Sequence, residues 1–167
     1  RQAHEDPGDG PCPPFIISPG ERSQSGRERY SDAATATGLA NYRDREVANC
    51  ENALASGDAA ALNVLLEYWY AQNNQQGVAA TYKTYLEKGS DVRELAEASA
   101  RLYTLYAEGA PGLPADPDAA LYYLSLAAKY DPATFALRYA DATHARGSYA
   151  DAFSYYEMMA QSKTPAD

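Results

Sequence analysis

Residues Ala98–Asp131 read ASARLYTLYAEGAPGLPADPDAALYYLSLAAKYD, and this stretch decides the fold. Ala98, Leu102 and Tyr106 stand four apart, so successive helical turns bring them to one face. Gly109 sits where that helix should stop. Asp116-Pro117 then supplies a cap acceptor followed by a proline at the first helical position, where the missing N–H costs nothing. Beyond it, Ala120, Tyr123 and Ala127 fall at offsets of three and seven, again on one face. The stretch is therefore two amphipathic helices joined by a Gly/Pro-rich loop, with small and aromatic residues sharing the buried side.

The second half of this pattern occurs twice more. Ala79/Tyr82/Leu86 and Ala152/Tyr155/Met159 repeat the spacing of Ala120/Tyr123/Ala127. In the helix before each, Leu66/Tyr70, Leu102/Tyr106 and Tyr139/Thr143 stand four apart. The second member precedes its alanine by nine, fourteen and nine residues, so the middle pair carries a five-residue insertion in its loop. Punctuation sets the boundaries: Asp58, the Asp91-x-x-Glu94 capping signature, Asp131-Pro132 and Ser148 open helices, while Gly57, Gly89 and Gly147 close them. The pattern predicts helices near 31–56, with a break at Gly38 as one variant, and near 58–72, 75–88, 91–108, 117–130, 132–146 and 149–162. Connections of a few residues make sequential helices antiparallel neighbours.

The middle repeat resembles the Sel-one-like branch of the tetratricopeptide-like superfamily through Ala98, Leu102, Tyr106, Gly109, Gly112, Asp116, Ala120, Tyr123 and Ala127-Ala128. It departs from that pattern at Tyr103, Ala119 and Leu126. The last repeat is nearer a plain tetratricopeptide unit through Gly147, Tyr149, Ala152 and Tyr156, and the first, 58–89, matches more weakly. The resemblance implies an all-α fold, an α-solenoid of antiparallel helix pairs, with about three repeats near 58–89, 91–130 and 132–162 inside a helical domain spanning 30–167 and the helix near 31–56 as an N-terminal cap. Gln161-Ser162-Lys163-Thr164-Pro165 reads as a stop. The resemblance also implies a concave groove lined by the first helix of each pair. Taking Tyr70, Tyr106 and Thr143 as reference positions, it selects Tyr68, Gln72, Glu97, Thr104, Glu108, Thr134, Asp141 and His144 as partner-binding residues.

Composition agrees with helices and excludes several functions. Alanine occupies 33 of 167 positions, whereas Ile16 and Ile17 are the only isoleucines and Val47, Val64, Val78 and Val92 the only valines. A chain this poor in β-branched residues does not build a sheet core. Lys and Arg number 14 against 23 Asp and Glu, a formal charge of −9, so a nucleic-acid backbone would be repelled. No segment reaches the roughly 18 apolar residues of a membrane helix. The near-neutral bases are His4 and His144, and no Cys/His, glycosidase-type or phosphate-cradle signature surrounds them, so the expectation is a non-enzyme with no cofactor and no metal.

Residues 1–29 hold five of the ten prolines and form an extended Pro/Gly-rich tail whose only apolar cluster is Phe15-Ile16-Ile17. Cys12 in this tail and Cys50 in the first helix read as a structural disulfide, against the alternative of two unrelated reduced thiols. With Arg1 as first residue and Met158 and Met159 as the only methionines, a processed N-terminus is expected. A disulfide then places the chain in the periplasm or outside the cell, with a cytoplasmic location as the alternative. Tyr82, Tyr106, Tyr123, Tyr155 and Tyr156 take repeat-core positions, leaving Tyr68, Tyr103, Tyr122 and Tyr139 for an aromatic surface. The resulting expectation is a protein-interaction scaffold of a bacterial cell-envelope assembly, in secretion or polysaccharide export, holding an extended and basic segment. The alternatives are a glycan- or peptidoglycan-binding module and a helical accessory domain of an enzyme.

Overall fold

The computed structural model of the chain describes residues 10–17 and 33–162. His4, the expected helix start at 31 and the stop motif beyond Ser162 lie outside the described residues. Among the described residues the fold is all-α, with seven helices: α1 (Ala33–Ala55), α2 (Ala60–Ala71), α3 (Gln75–Lys88), α4 (Val92–Glu108), α5 (Pro117–Tyr130), α6 (Pro132–Ala145) and α7 (Tyr149–Ser162). Among these residues the only β feature is an isolated bridge between Ala110 and Leu113. Among these residues no helix is long and apolar enough to cross a membrane. Helix α1 runs unbroken through Gly38.

The expected caps at Asp91, Asp116 and Asp131 form, Asp58 accepts from Ala60 N–H while Ala59 is the N-cap of α2, and Asn74 is a further cap. Asn74 accepts from Gly77 N–H at 2.9 Å. Asp91 accepts from Arg93 and Glu94, Asp116 from Asp118 and Ala119, and Asp131 from Thr134. These contacts satisfy N–H groups that a helix start leaves without intrahelical partners. The five-residue insertion is an ordered turn in which Ala110 and Leu113 exchange backbone hydrogen bonds at 2.7 and 2.8 Å. Gly109 enters that turn at φ 73°, and a Cβ there would approach Ala115 N to 2.9 Å. Glycine is therefore required at this position on both counts.

The chain splits into two compact units, Arg1–Gly89 and Ser90–Asp167. In the first, α1, α2 and α3 pack on one another. Their core holds Leu54, Ala61, Leu65, Val78 and Tyr85, none more than 1% exposed. The Cys12–Cys50 disulfide is formed, and it fastens the segment 10–17, whose Ile16 is buried while Phe15 and Ile17 stay exposed. The segment 10–17 is thus pinned at Cys12. Gly89 follows the last residue of α3 as its C-cap, as expected of a helix-stopping glycine, with an extended backbone at φ −71°. Its lack of a side chain also leaves room for buried Tyr85, since a Cβ would clash with that ring.

In the second unit each helix from α4 to α7 packs on the next. The repeat alanines are buried throughout the chain: Ala79 at 2%, Ala120 at 4% and Ala152 at 1% exposure. Methyl groups at these sites let paired helices approach closely while the larger neighbours fill the gaps. Tyr106 of α4 stacks on Tyr123 of α5 with centroids 5.5 Å apart, and Tyr139 of α6 meets Tyr155 of α7 edge-on at 4.8 Å. Arg146 at the end of α6 reaches Asp118 at the start of α5 at 2.7 Å.

Candidate interaction groove

In the second unit a cleft of about 1010 Å³ opens between α4 and α6. Those are the first helices of its two pairs, the elements expected to line a groove. Ala96 and Ala100 of α4 and Phe135 of α6 give it an apolar surface, and Tyr130 at the end of α5 adds a second ring. Asp91, Glu97 and Asp131 contribute three carboxylates and Arg93 one guanidinium. One oxygen of Asp91 and one of Asp131 are engaged in capping. Glu97 is 64% exposed and its pairing with Arg101, at 3.9 Å across one helical turn, is loose. An exposed pair of that length contributes little, which leaves the Glu97 carboxylate available to a ligand. Both rings already have a cation over them, Lys129 over Tyr130 at 5.6 Å and Arg138 over Phe135 at 5.9 Å from the centroid.

Of the residues selected from sequence, Glu97 and Thr134 line this cleft. Thr104, Glu108, Asp141 and His144 are exposed on the same two helices but do not line it. The Thr104 hydroxyl donates to Ala100 O. Asp141 accepts a hydrogen bond from Tyr156, which with the carboxylate's charge raises the Tyr156 pKa. His144 meets Tyr149 edge-on at 5.1 Å.

Tyr68 and Gln72 belong to α2 in the first unit. Tyr68 is 6% exposed, on the stripe of Ala61 and Leu65, and so presents no ring to a partner. Gln72 is half-buried, and its side-chain amide donates to Tyr68 O at 3.3 Å, closing the end of α2. Of the other tyrosines expected on the surface, Tyr122 is 58% exposed, whereas Tyr103 and Tyr139 are half-buried. Burial raises the Tyr139 pKa, with Tyr155 and Asp151 adding to it.

Arg93, Tyr130, Asp131 and Phe135 are cleft residues that the sequence reading did not select. A signal for two of them existed: Arg93 precedes Glu97 by one helical turn on the same face, and Phe135 adjoins Thr134. Among the described residues no group of three or more His, Cys, Asp or Glu side chains has a metal-binding arrangement. No protein-family model, curated protein or solved structure matches the chain.

Proposed function

We propose that the chain is a non-enzymatic scaffold of the tetratricopeptide-like kind that holds a partner protein through an extended, basic segment laid in the α4–α6 cleft. The observation that carries this reading is the cleft lining, in which an apolar floor of Ala96, Ala100 and Phe135 is rimmed by three carboxylates and one guanidinium. Such a surface takes an apolar side chain flanked by Lys or Arg, with charge steering the approach. The Cys12–Cys50 disulfide supports placement in an oxidising compartment, and a bacterial envelope assembly for secretion or polysaccharide export is the setting proposed.

The test is an array of extended peptides carrying one apolar residue between Lys or Arg, against matched peptides with Glu in those places. The basic set binds and weakens with added salt. Glu97→Lys abolishes that binding, while Arg93→Glu strengthens it. Equal capture of the acidic set, or indifference to Glu97→Lys, overturns the proposal.

A further inference from the structure

The internal repeat identifies what fits a face that the last helix pair leaves open. On α5 the stripe of Ala120, Tyr123 and Ala127 faces α4, as the Tyr106–Tyr123 stack shows. The adjoining stripe, one, four and eight residues after Ala120, is Leu121, Leu124 and Ala128. Leu124 and Ala128 are each 1% exposed, and the helix that packs on α5 after α4 is α6. The same offsets after Ala152 give Phe153, Tyr156 and Ala160 on α7. Here Phe153 is 65% exposed, as is Tyr149 one turn earlier at 64%. Tyr156, half-buried, already donates to Asp141 of α6, and Tyr149 meets His144 edge-on, so Phe153 is the large side chain of this stripe that α6 leaves open; among the described residues no helix packs on α7 other than α6.

We infer that this stripe docks an amphipathic helix of a partner protein, laid antiparallel on α7 as α6 lies on α5. The internal counterpart defines the chemistry of that helix. The buried stripe of α6 is small, with Ala136 and Ala140 at 0% and Thr143 at 2% exposure. Its last turn leads into Arg146, which reaches Asp118 in the first turn of α5. Helix α7 carries Asp151 in its own first turn, so charge complementarity asks for a basic residue at the end of the incoming helix. The partner helix therefore presents small residues at i, i+4 and i+7, facing Phe153, and ends in Lys or Arg. This surface shares no residue with the α4–α6 cleft, so each stands or falls without the other.

A labelled peptide with the chain's own sequence 131–147, which brings the Asp131 cap, the small stripe and Arg146, is the probe. Titrated with the full chain and followed by fluorescence anisotropy, it binds saturably. Phe153→Asp weakens binding by about thirtyfold or more, as removal of a central aromatic anchor does, whereas Phe153→Leu retains it. Replacing Arg146 of the peptide by Glu also weakens it. Absence of saturable binding overturns the inference, and so does binding indifferent to Phe153→Asp, which would mean exchange with α6 at α5. If the chain alone sediments as a dimer that Phe153→Asp dissociates, the occupant is a second copy and the partner-helix reading fails.

Discussion

Gly77→Ala sets two effects of similar size against each other, and the structure decides between them. Gly77 lies in the first turn of α3, where a glycine-to-alanine change in an exposed helix stabilises by up to about 1 kcal/mol through backbone entropy and helix propensity. In this chain the indole of Trp69 rests on Gly77, and an added Cβ would lie 2.6 Å from Trp69 Cγ and 2.7 Å from Cε3. Carbon contacts relax only beyond about 3.5 Å, so the indole must withdraw by roughly 1 Å. Moving α3 instead disturbs the packing of its buried Val78, Ala79 and Tyr85. Overpacking of this kind costs about 1–3 kcal/mol, with an off-rotamer indole adding about 0.5–1.5 kcal/mol. The net expectation is destabilisation by about 1–2 kcal/mol, or a fall in Tm of about 4–16 °C for a unit of this size. Trp69 is the only tryptophan, so its emission during thermal or urea unfolding reports on this packing directly. A midpoint that rises, with emission unchanged, would show that the indole does not rest on Gly77 and that propensity governs the site.

Other perturbations probe the remaining elements. Ala120→Leu forces a branched side chain into a site 4% exposed and should lower the urea midpoint by about 1–3 kcal/mol equivalent. An unchanged midpoint would put Ala120 on the surface and break the repeat register. Joint replacement of Cys12 and Cys50 by serine and alanine removes a bridge across 38 positions and should destabilise by about 4 kcal/mol in the chain-entropy account. Native mass should lie two daltons below the reduced value, and quantitative alkylation of both thiols without reduction would refute the bridge. The Tyr156 pKa is raised, first by its hydrogen bond to Asp141. Its contribution to stability is therefore fully present below the unfolded tyrosine pKa of about 10 and is lost as pH rises through the folded value. Asp141→Asn should shift the ionisation of one tyrosine to lower pH in a spectroscopic titration, and an unaltered profile would show that Asp141 does not hold the phenol.

Helix boundaries were legible because they rest on local chemistry. Asp91, Asp116 and Asp131 each cap the helix they precede, and α3, α5 and α7 begin and end where the punctuation places them. The repeat alanines were legible for the same reason, since their spacing alone puts them on one face. Surface and core assignments were less legible wherever a large residue suited both. Tyr68 sits seven after Ala61 and three after Leu65, which is a buried stripe. Counting it instead from Tyr70 placed it in a groove. Gly89 shows a second limit: a glycine at a helix end suggests positive φ, whereas here the demand comes from the Tyr85 ring, a close contact that only packing reveals.

The register that makes the repeats also sets apart the helices that close each pair. After Ala120, the offsets of one, four and eight give Leu121, Leu124 and Ala128, an apolar stripe that lets α5 accept a further helix. After Ala79 they give Ala80, Lys83 and Glu87. Ala80 and Glu87 are exposed, and Lys83 is half-buried. Burying a lysine and a glutamate in a helix contact would require partners for both charges, so α3 presents a polar face where α5 presents an apolar one. The repeat signature itself, Ala/Tyr/apolar at offsets of zero, three and seven, is blind to this difference because it records how the two helices of a pair meet. Whether one pair continues into the next is written one residue over. By that criterion the chain carries one polar stripe at α3, one covered apolar stripe at α5 and one uncovered apolar stripe at α7. The uncovered one, with Phe153 at its centre, is where the physics of the fold asks for another helix.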